Sequence, residues 1–128
     1  MSDLTPQQFT VTRADLVRYA GASGDFNPIH YSERVATSVG LPGVIAHGMF
    51  TLALAARAVE EWAGGPDRVV EFGAKFTKPV IVPDNDEGVV IDVSGKVTAE
   101  DDATRSFSVS VTCDGVGVLG AMKAVVRV

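Results

Sequence analysis

Asp25, Asn27 and His30 fall within Gly24-Asp25-Phe26-Asn27-Pro28-Ile29-His30, a run that spaces a carboxylate, an amide and an imidazole between small or apolar residues. Pro28 has no amide donor and disfavours helical backbone at Asn27, so the run must be a loop. A proline-constrained loop can aim its side chains at one point. Imidazole suits proton transfer near neutral pH, and a neighbouring carboxylate can orient the ring or share a water with it. The same residues also fit a plainer arrangement, in which Asp25 and Asn27 make Asx turns and His30 caps a helix.

A second group, Ala46-His47-Gly48-Met49, opens the longest apolar helical pattern of the chain. Gly48 lets a ligand approach the backbone, and the free N–H groups of a first helical turn favour developing negative charge. It is therefore an oxyanion-hole candidate, although a glycine that merely eases the start of a buried helix would look the same. His47, taken alone, fits a packed or capping histidine better than a catalyst. Cys113 continues the apolar face of a strand with no base nearby in sequence, which makes it a core residue.

The elements that would position these groups follow two periodicities. Up to Ala63 the pattern is one of helices and loops. Thr12, with Asp15 three residues on, caps a helix whose apolar face (Leu16, Val17, Tyr19, Ala20) ends at Gly21. Ser32 to Val39 fits two helical turns closed by Gly40, and Ala46 to Ala63 fits one long helix, apolar nearly all round and hence in need of wrapping. After Arg68 the period becomes two. Val70, Phe72, Ala74 and Phe76 form one buried strand face, Val89 to Val97 a second, and Phe107 to Cys113 a third; Asp114-Gly115 then turns the chain into a last strand, Val116 to Val128. Pro79 to Asp86 interrupts pairing and Glu100-Asp101-Asp102 makes an acidic turn. The economical solution is α+β, a curved antiparallel sheet wrapped around the long helix. One helix cannot cover every strand edge, so edge-to-edge dimerisation is expected.

Composition narrows the function classes. With 128 residues, 46% of them hydrophobic and 21% charged, the chain reads as a single domain over 1–128 and not as a disordered one. Eleven Lys plus Arg against sixteen Asp plus Glu give a net charge of −5, the wrong sign for nucleic acid or an anionic membrane. The apolar stretch Met49 to Ala56 is far short of the roughly 20 residues that cross a bilayer. Met1 to Pro6 carries neither a basic nor an apolar leader segment, and the one cysteine permits no internal disulfide; both point to a cytoplasmic protein.

Tyr19 to His30, then Ile45 to Met49, then Phe76 to Val80, in that order, resemble the hydratase signature of the MaoC-like family. The stretch Val80 to Asp86 and the compact length are most similar to the catalytic B subunits of mycobacterial (3R)-hydroxyacyl-carrier-protein dehydratases. The resemblance implies the hot-dog fold and reversible hydration of trans-2-enoyl thioesters to (3R)-hydroxyacyl thioesters, carried on coenzyme A or an acyl carrier protein. It implies no metal and no redox cofactor. Asp25 and His30 would hold the catalytic water and the Gly48 N–H the thioester carbonyl oxygen. Asn27 would keep the loop in shape and, with Phe26, His47 and Met49, lie on the substrate side. Some members carry a hydroxyl residue eight positions beyond the glycine, where this chain has Ala56, a residue that could widen an acyl tunnel. The partner implied is a second copy or a related hot-dog subunit. A hot-dog thioesterase would place a carboxylate on the long helix, whose Glu60 and Glu61 lie at the far end, and a non-catalytic acyl-binding subunit would not need Asp25 and His30.

Overall fold

The computed structural model describes residues 2–128. Its elements run β1 (Gln7–Val11), α1 (Arg13–Ser23), α2 (Glu33–Ser38), α3 (Gly48–Ala63), β2 (Val69–Phe76), β3 (Val89–Glu100), β4 (Thr104–Cys113) and β5 (Val116–Arg127). The strands form one five-stranded antiparallel sheet in the order β1-β3-β4-β5-β2. Alternate residues of the central strands, among them Ile91, Val93, Phe107, Val111 and Ala124, face Leu54, Ala55, Ala58 and Val59 of α3, and this contact is the core. The α+β expectation of a sheet around one long helix holds.

Four local expectations change. The segment before α1 contains a strand, β1, which pairs with β3 through Phe9 opposite Ile91 and Val11 opposite Val89. Helix α1 runs past Gly21 to Ser23 and ends on Gly24, whose left-handed backbone (φ 76°) lets its N–H return to the Ala20 carbonyl at 3.0 Å. Helix α3 is not wrapped all round, because the stripe Met49, Ala53, Arg57 and Glu61 stays exposed. The apolar face of β2 is not buried either. Phe72 stands opposite Ala124 and Phe76 opposite Leu119, both core residues, yet β2 is an edge strand with two register breaks, and of its residues only Val69 and Ala74 pack against the core. Phe76 is therefore 59% exposed and Val70 52%.

Elsewhere the local chemistry matches its placement. Asp15 accepts from the Thr12 N–H at 2.9 Å and from its hydroxyl at 3.1 Å, which fixes the start of α1. The Asp114-Gly115 hairpin has both residues at positive φ, 51° and 77°, as a two-residue type I′ turn requires. The stretch Pro79 to Pro83 does more than interrupt the sheet. Val80 and Val82 pair with the segment before α3, through Ala46 N–H to the Val80 carbonyl at 2.9 Å and Val82 N–H to the Val44 carbonyl at 3.0 Å. Val44, Val80 and Val82 are buried, so the chain leading into His47 and Gly48 is held on both sides.

Candidate active site

The loop after α1 makes the Asx turns expected of it and brings the Asp25 carboxylate near the His30 ring. The Asn27 N–H donates to Asp25 Oδ1 at 3.2 Å, and the Ile29 N–H donates to Asn27 Oδ1 at 3.2 Å. Two Asx turns in series therefore shape the backbone, and a single turn of 3-10 helix, Pro28–His30, completes it. Asp25 uses only one oxygen in this. Its other, Oδ2, lies 4.0 Å from His30 Nε2.

His30 does not cap a helix. Its ring is buried, with Nδ1 2.8 Å from the Ile45 carbonyl. A carbonyl only accepts, so Nδ1 carries the hydrogen, and in the neutral ring the lone pair sits on Nε2, facing Asp25. The 4.0 Å between Nε2 and Oδ2 is too long for a direct hydrogen bond and suits one water shared by both. Ile45 is itself fixed: its N–H donates to the Ile29 carbonyl at 3.2 Å, and it bridges to Ile81. The His30 ring is thus positioned by a ladder that runs from residues 80–82 through 44–46 to 29–30.

His47 stands under this pair as the N-cap residue of α3, only 2% exposed. Its ring stacks on that of His30 with centroids 3.8 Å apart and planes 22° apart, and Tyr19 meets it edge-on at 4.7 Å. Nε2 lies 3.1 Å from the Asp25 backbone carbonyl, so it donates there, while Nδ1 is buried with no partner among the described residues. Ligating atoms of Asp25, His30 and His47 lie within 4.8 Å of one another. Two stacked imidazoles, however, direct their in-plane lone pairs along neighbouring near-parallel planes, so both rings cannot serve one metal ion without separating.

Gly48 begins α3; the Phe50 and Thr51 N–H groups return to the His47 carbonyl at 3.0 and 3.2 Å, which leaves those of Gly48 and Met49 without an intrahelical carbonyl. Gly48 opens on a cavity of about 240 Å³ lined by Ile45, Thr51, Phe76, Val80 and Leu119, among others. A Cβ at position 48 would sit 3.0 Å from the Phe76 ring. Asp25 and His30 do not line this cavity; they connect to it through His47, whose ring stacks on that of His30, and the adjoining Gly48, which lines it. Phe26 and Met49 are exposed outside the cavity, and Ala56 does not line it. Thr51, one turn into α3, is a buried cavity residue that sequence reading passed over. Its signal was a lone hydroxyl between Phe50 and Leu52 in an otherwise apolar helix. Cys113 is in the core, where burial first, and the charges of Asp114 and Asp92 second, push its thiol pKa up and keep it inert.

A five-stranded sheet around one helix, with an imidazole–carboxylate pair at that helix's N-terminus, is the class of hot-dog proteins. Residues 2–113 match the MaoC like domain, and the chain belongs to that family. It is 45% identical over 73 residues to 3-hydroxyacyl-thioester dehydratase X of Mycobacterium tuberculosis, an alignment that takes in 57% of this chain and 25% of that protein. Among solved structures it is similar to a MaoC-like dehydratase, with TM-score 0.94 and 37% identity over 98% of this chain and 39% of the other. An (R)-hydratase from A. caviae involved in PHA biosynthesis shares the fold at TM-score 0.83 and 22% identity, covering 99% of this chain and 94% of that one. The chain thus spans about a quarter of the curated relative. Among the described residues no helix is long and apolar enough to cross a membrane.

Proposed function

We propose that this domain adds water reversibly across trans-2-enoyl thioesters to give (3R)-hydroxyacyl thioesters. The observation that carries the reading is the water-sized gap between Asp25 Oδ2 and His30 Nε2 beside the open first turn of α3. In hydration, the water in that gap gives up a proton to the pair while its oxygen attacks C3. The pair of electrons from the C2–C3 double bond moves onto the thioester carbonyl, and the Gly48 N–H and the positive end of the α3 dipole stabilise the resulting enolate oxygen. A proton then returns to C2. Dehydration is the same path reversed, and no step needs a metal or redox group. The curated relative's name and membership of the MaoC-like family support this reaction class. Asn27 serves by holding the loop, while Phe26, Met49 and His47 flank the site.

A thioesterase reading is disfavoured, because Glu60 and Glu61 sit some twelve residues along α3 from Gly48, roughly 18 Å of helix away. A purified chain incubated with crotonyl-CoA tests the proposal: loss of the enoyl absorbance with a (3R)-hydroxy product supports it, release of free thiol turns it to the thioesterase, and neither leaves an acyl-binding subunit. The carrier, whether coenzyme A or an acyl carrier protein, is read by assaying both. We further infer that the domain works as a dimer in the cytoplasm, paired through β2 with a second copy or a related hot-dog subunit. The exposed Val70, Phe72 and Phe76 of that edge support this, as does the larger size of the relatives. A monodisperse monomer in light scattering at micromolar concentration would count against it.

A further inference from the structure

We propose that His47 is a positioning residue for the hydration reaction, one that sets the distance between Asp25 and His30 without touching substrate. This rests on the hydratase reading above. His47 is almost fully buried, which removes it from the substrate side, yet it contacts both members of the acid–base pair. Its Nε2–H donates to the Asp25 carbonyl at 3.1 Å and so pins the backbone from which the Asp25 carboxylate hangs. Its ring face lies on the His30 ring at 3.8 Å and so fixes the plane in which the His30 Nε2 lone pair points. Tyr19 and the start of α3 hold His47 in turn.

The unpartnered Nδ1 shows what this placement costs. A buried acceptor without a donor loses its hydration with nothing in return, and an apolar residue of the same shape would avoid that penalty. A side chain kept only for packing has no need of this nitrogen pair. The imidazole is explained by a task that an apolar ring cannot perform, the donation from Nε2. The Asx turns shape the loop from within and Ile45 holds its His30 end, but the Asp25 carbonyl has no other side-chain donor among the described residues, so this bond is what ties the Asp25 end to the start of α3.

Two variants separate the bond from the packing. His47→Phe keeps an aromatic ring on His30 and removes the N–H; His47→Gln keeps an N–H that reaches the position of Nε2 and removes the ring. The expected result is that His47→Phe lowers kcat for crotonyl-CoA hydration by about 10- to 100-fold, the size of effect that follows a displacement of about an ångström, with KM nearly unchanged and the melting temperature held. His47→Gln recovers most of that kcat despite its poorer packing. Native kcat in His47→Phe, or a His47→Gln no better than His47→Phe, overturns the proposal. The imidazole nitrogen spectrum of the unmodified protein gives a reading that needs neither folding of a variant nor activity. His47 must appear with its hydrogen on Nε2 and slow to exchange, and a hydrogen on Nδ1 instead refutes the bond. Should the unmodified chain fail to hydrate any enoyl thioester, the reaction assignment falls while the nitrogen spectrum still decides the role of His47 in holding Asp25.

Discussion

At its C-terminal end α3 stops on Gly64, whose left-handed backbone (φ 90°) lets the N–H groups of Gly64 and Gly65 return to the Glu60 carbonyl at 3.0 Å each. Trp62 closes that end, edge-on against Phe107 and donating its indole N–H to the Thr5 carbonyl at 2.8 Å. At the N-terminal end the capping residue makes no side-chain cap, a buried histidine nitrogen has no partner among the described residues, the Gly48 and Met49 N–H groups have no intrahelical carbonyl and a cavity begins. One helix thus carries an end closed by a backbone cap and an end with N–H groups left available. Unmet hydrogen-bonding capacity at a helix start costs stability and offers a binding site for developing charge, whereas a closed end does the opposite. Substitutions at the open end should therefore change turnover, and those at the closed end should change stability.

The largest effect is expected from the pair that faces the open end. His30→Ala and Asp25→Asn should each lower kcat/KM for enoyl thioester hydration by roughly 10²–10⁴-fold, since each removes a proton-transfer or orienting group. Circular dichroism should remain native. Near-native turnover in either variant would break the comparison at its functional end.

Next comes Gly48→Val. Its Cβ would press on the Phe76 ring, and its branches would stand over the first-turn N–H groups. Loss of one oxyanion donor typically costs about 10²–10³-fold, and a comparable fall in kcat is expected here. Phe76 is mostly exposed and can swing aside, so the melting temperature should move little. A structure with bound acyl thioester whose carbonyl oxygen lies away from the Gly48 nitrogen would show that the open end serves something else.

Trp62→Ala should do the reverse. Complete burial of such a ring is worth about 3–5 kcal/mol on truncation, and a half-buried indole correspondingly less, about 2 kcal/mol. Denaturant unfolding should report that loss while kcat per folded molecule is kept. A drop in kcat without a drop in stability would mean that the two ends are coupled through the helix.

The open end was more legible in sequence than the sheet edges. Asp25, Asn27, Pro28 and His30 lie within one short loop, so local rules for proline and Asx turns already constrain them together, and Gly48 declares itself at the start of the apolar run. His47 was harder. A single histidine before a glycine carries no sign of being buried, because the burial comes from Tyr19 and from a loop that folds over it from some twenty residues upstream. Strand β1 was missed because Gln7 to Val11 offers only Phe9 and Val11 as inward residues, too short an alternation to stand out before pairing with β3 supplies the rest. The alternation in β2 was visible and its burial was not: period two shows that one face is apolar, but what covers that face is decided by where α3 ends and by any partner along the edge.

The smallest effect, and the sharpest test of the comparison, comes from the glycine at the other end. Gly64 and Gly48 are both needed as glycine, for opposite reasons. Gly48 has ordinary helical backbone but a Cβ position 3.0 Å from the Phe76 ring, which would have to move; Gly64 has room, with only the Arg68 side chain at 3.8 Å, but a φ of 90° that side chains rarely adopt. Gly64→Ala should therefore pay in backbone strain alone, about 1 kcal/mol of unfolding free energy, visible as a lower denaturation midpoint with an unchanged slope. Turnover and KM should be those of the unmodified protein, since the change is at the closed end. If Gly64→Ala instead leaves stability intact, the left-handed cap is not what terminates α3. If it lowers kcat as Gly48→Val is expected to, the division of the helix into a holding end and a working end is wrong.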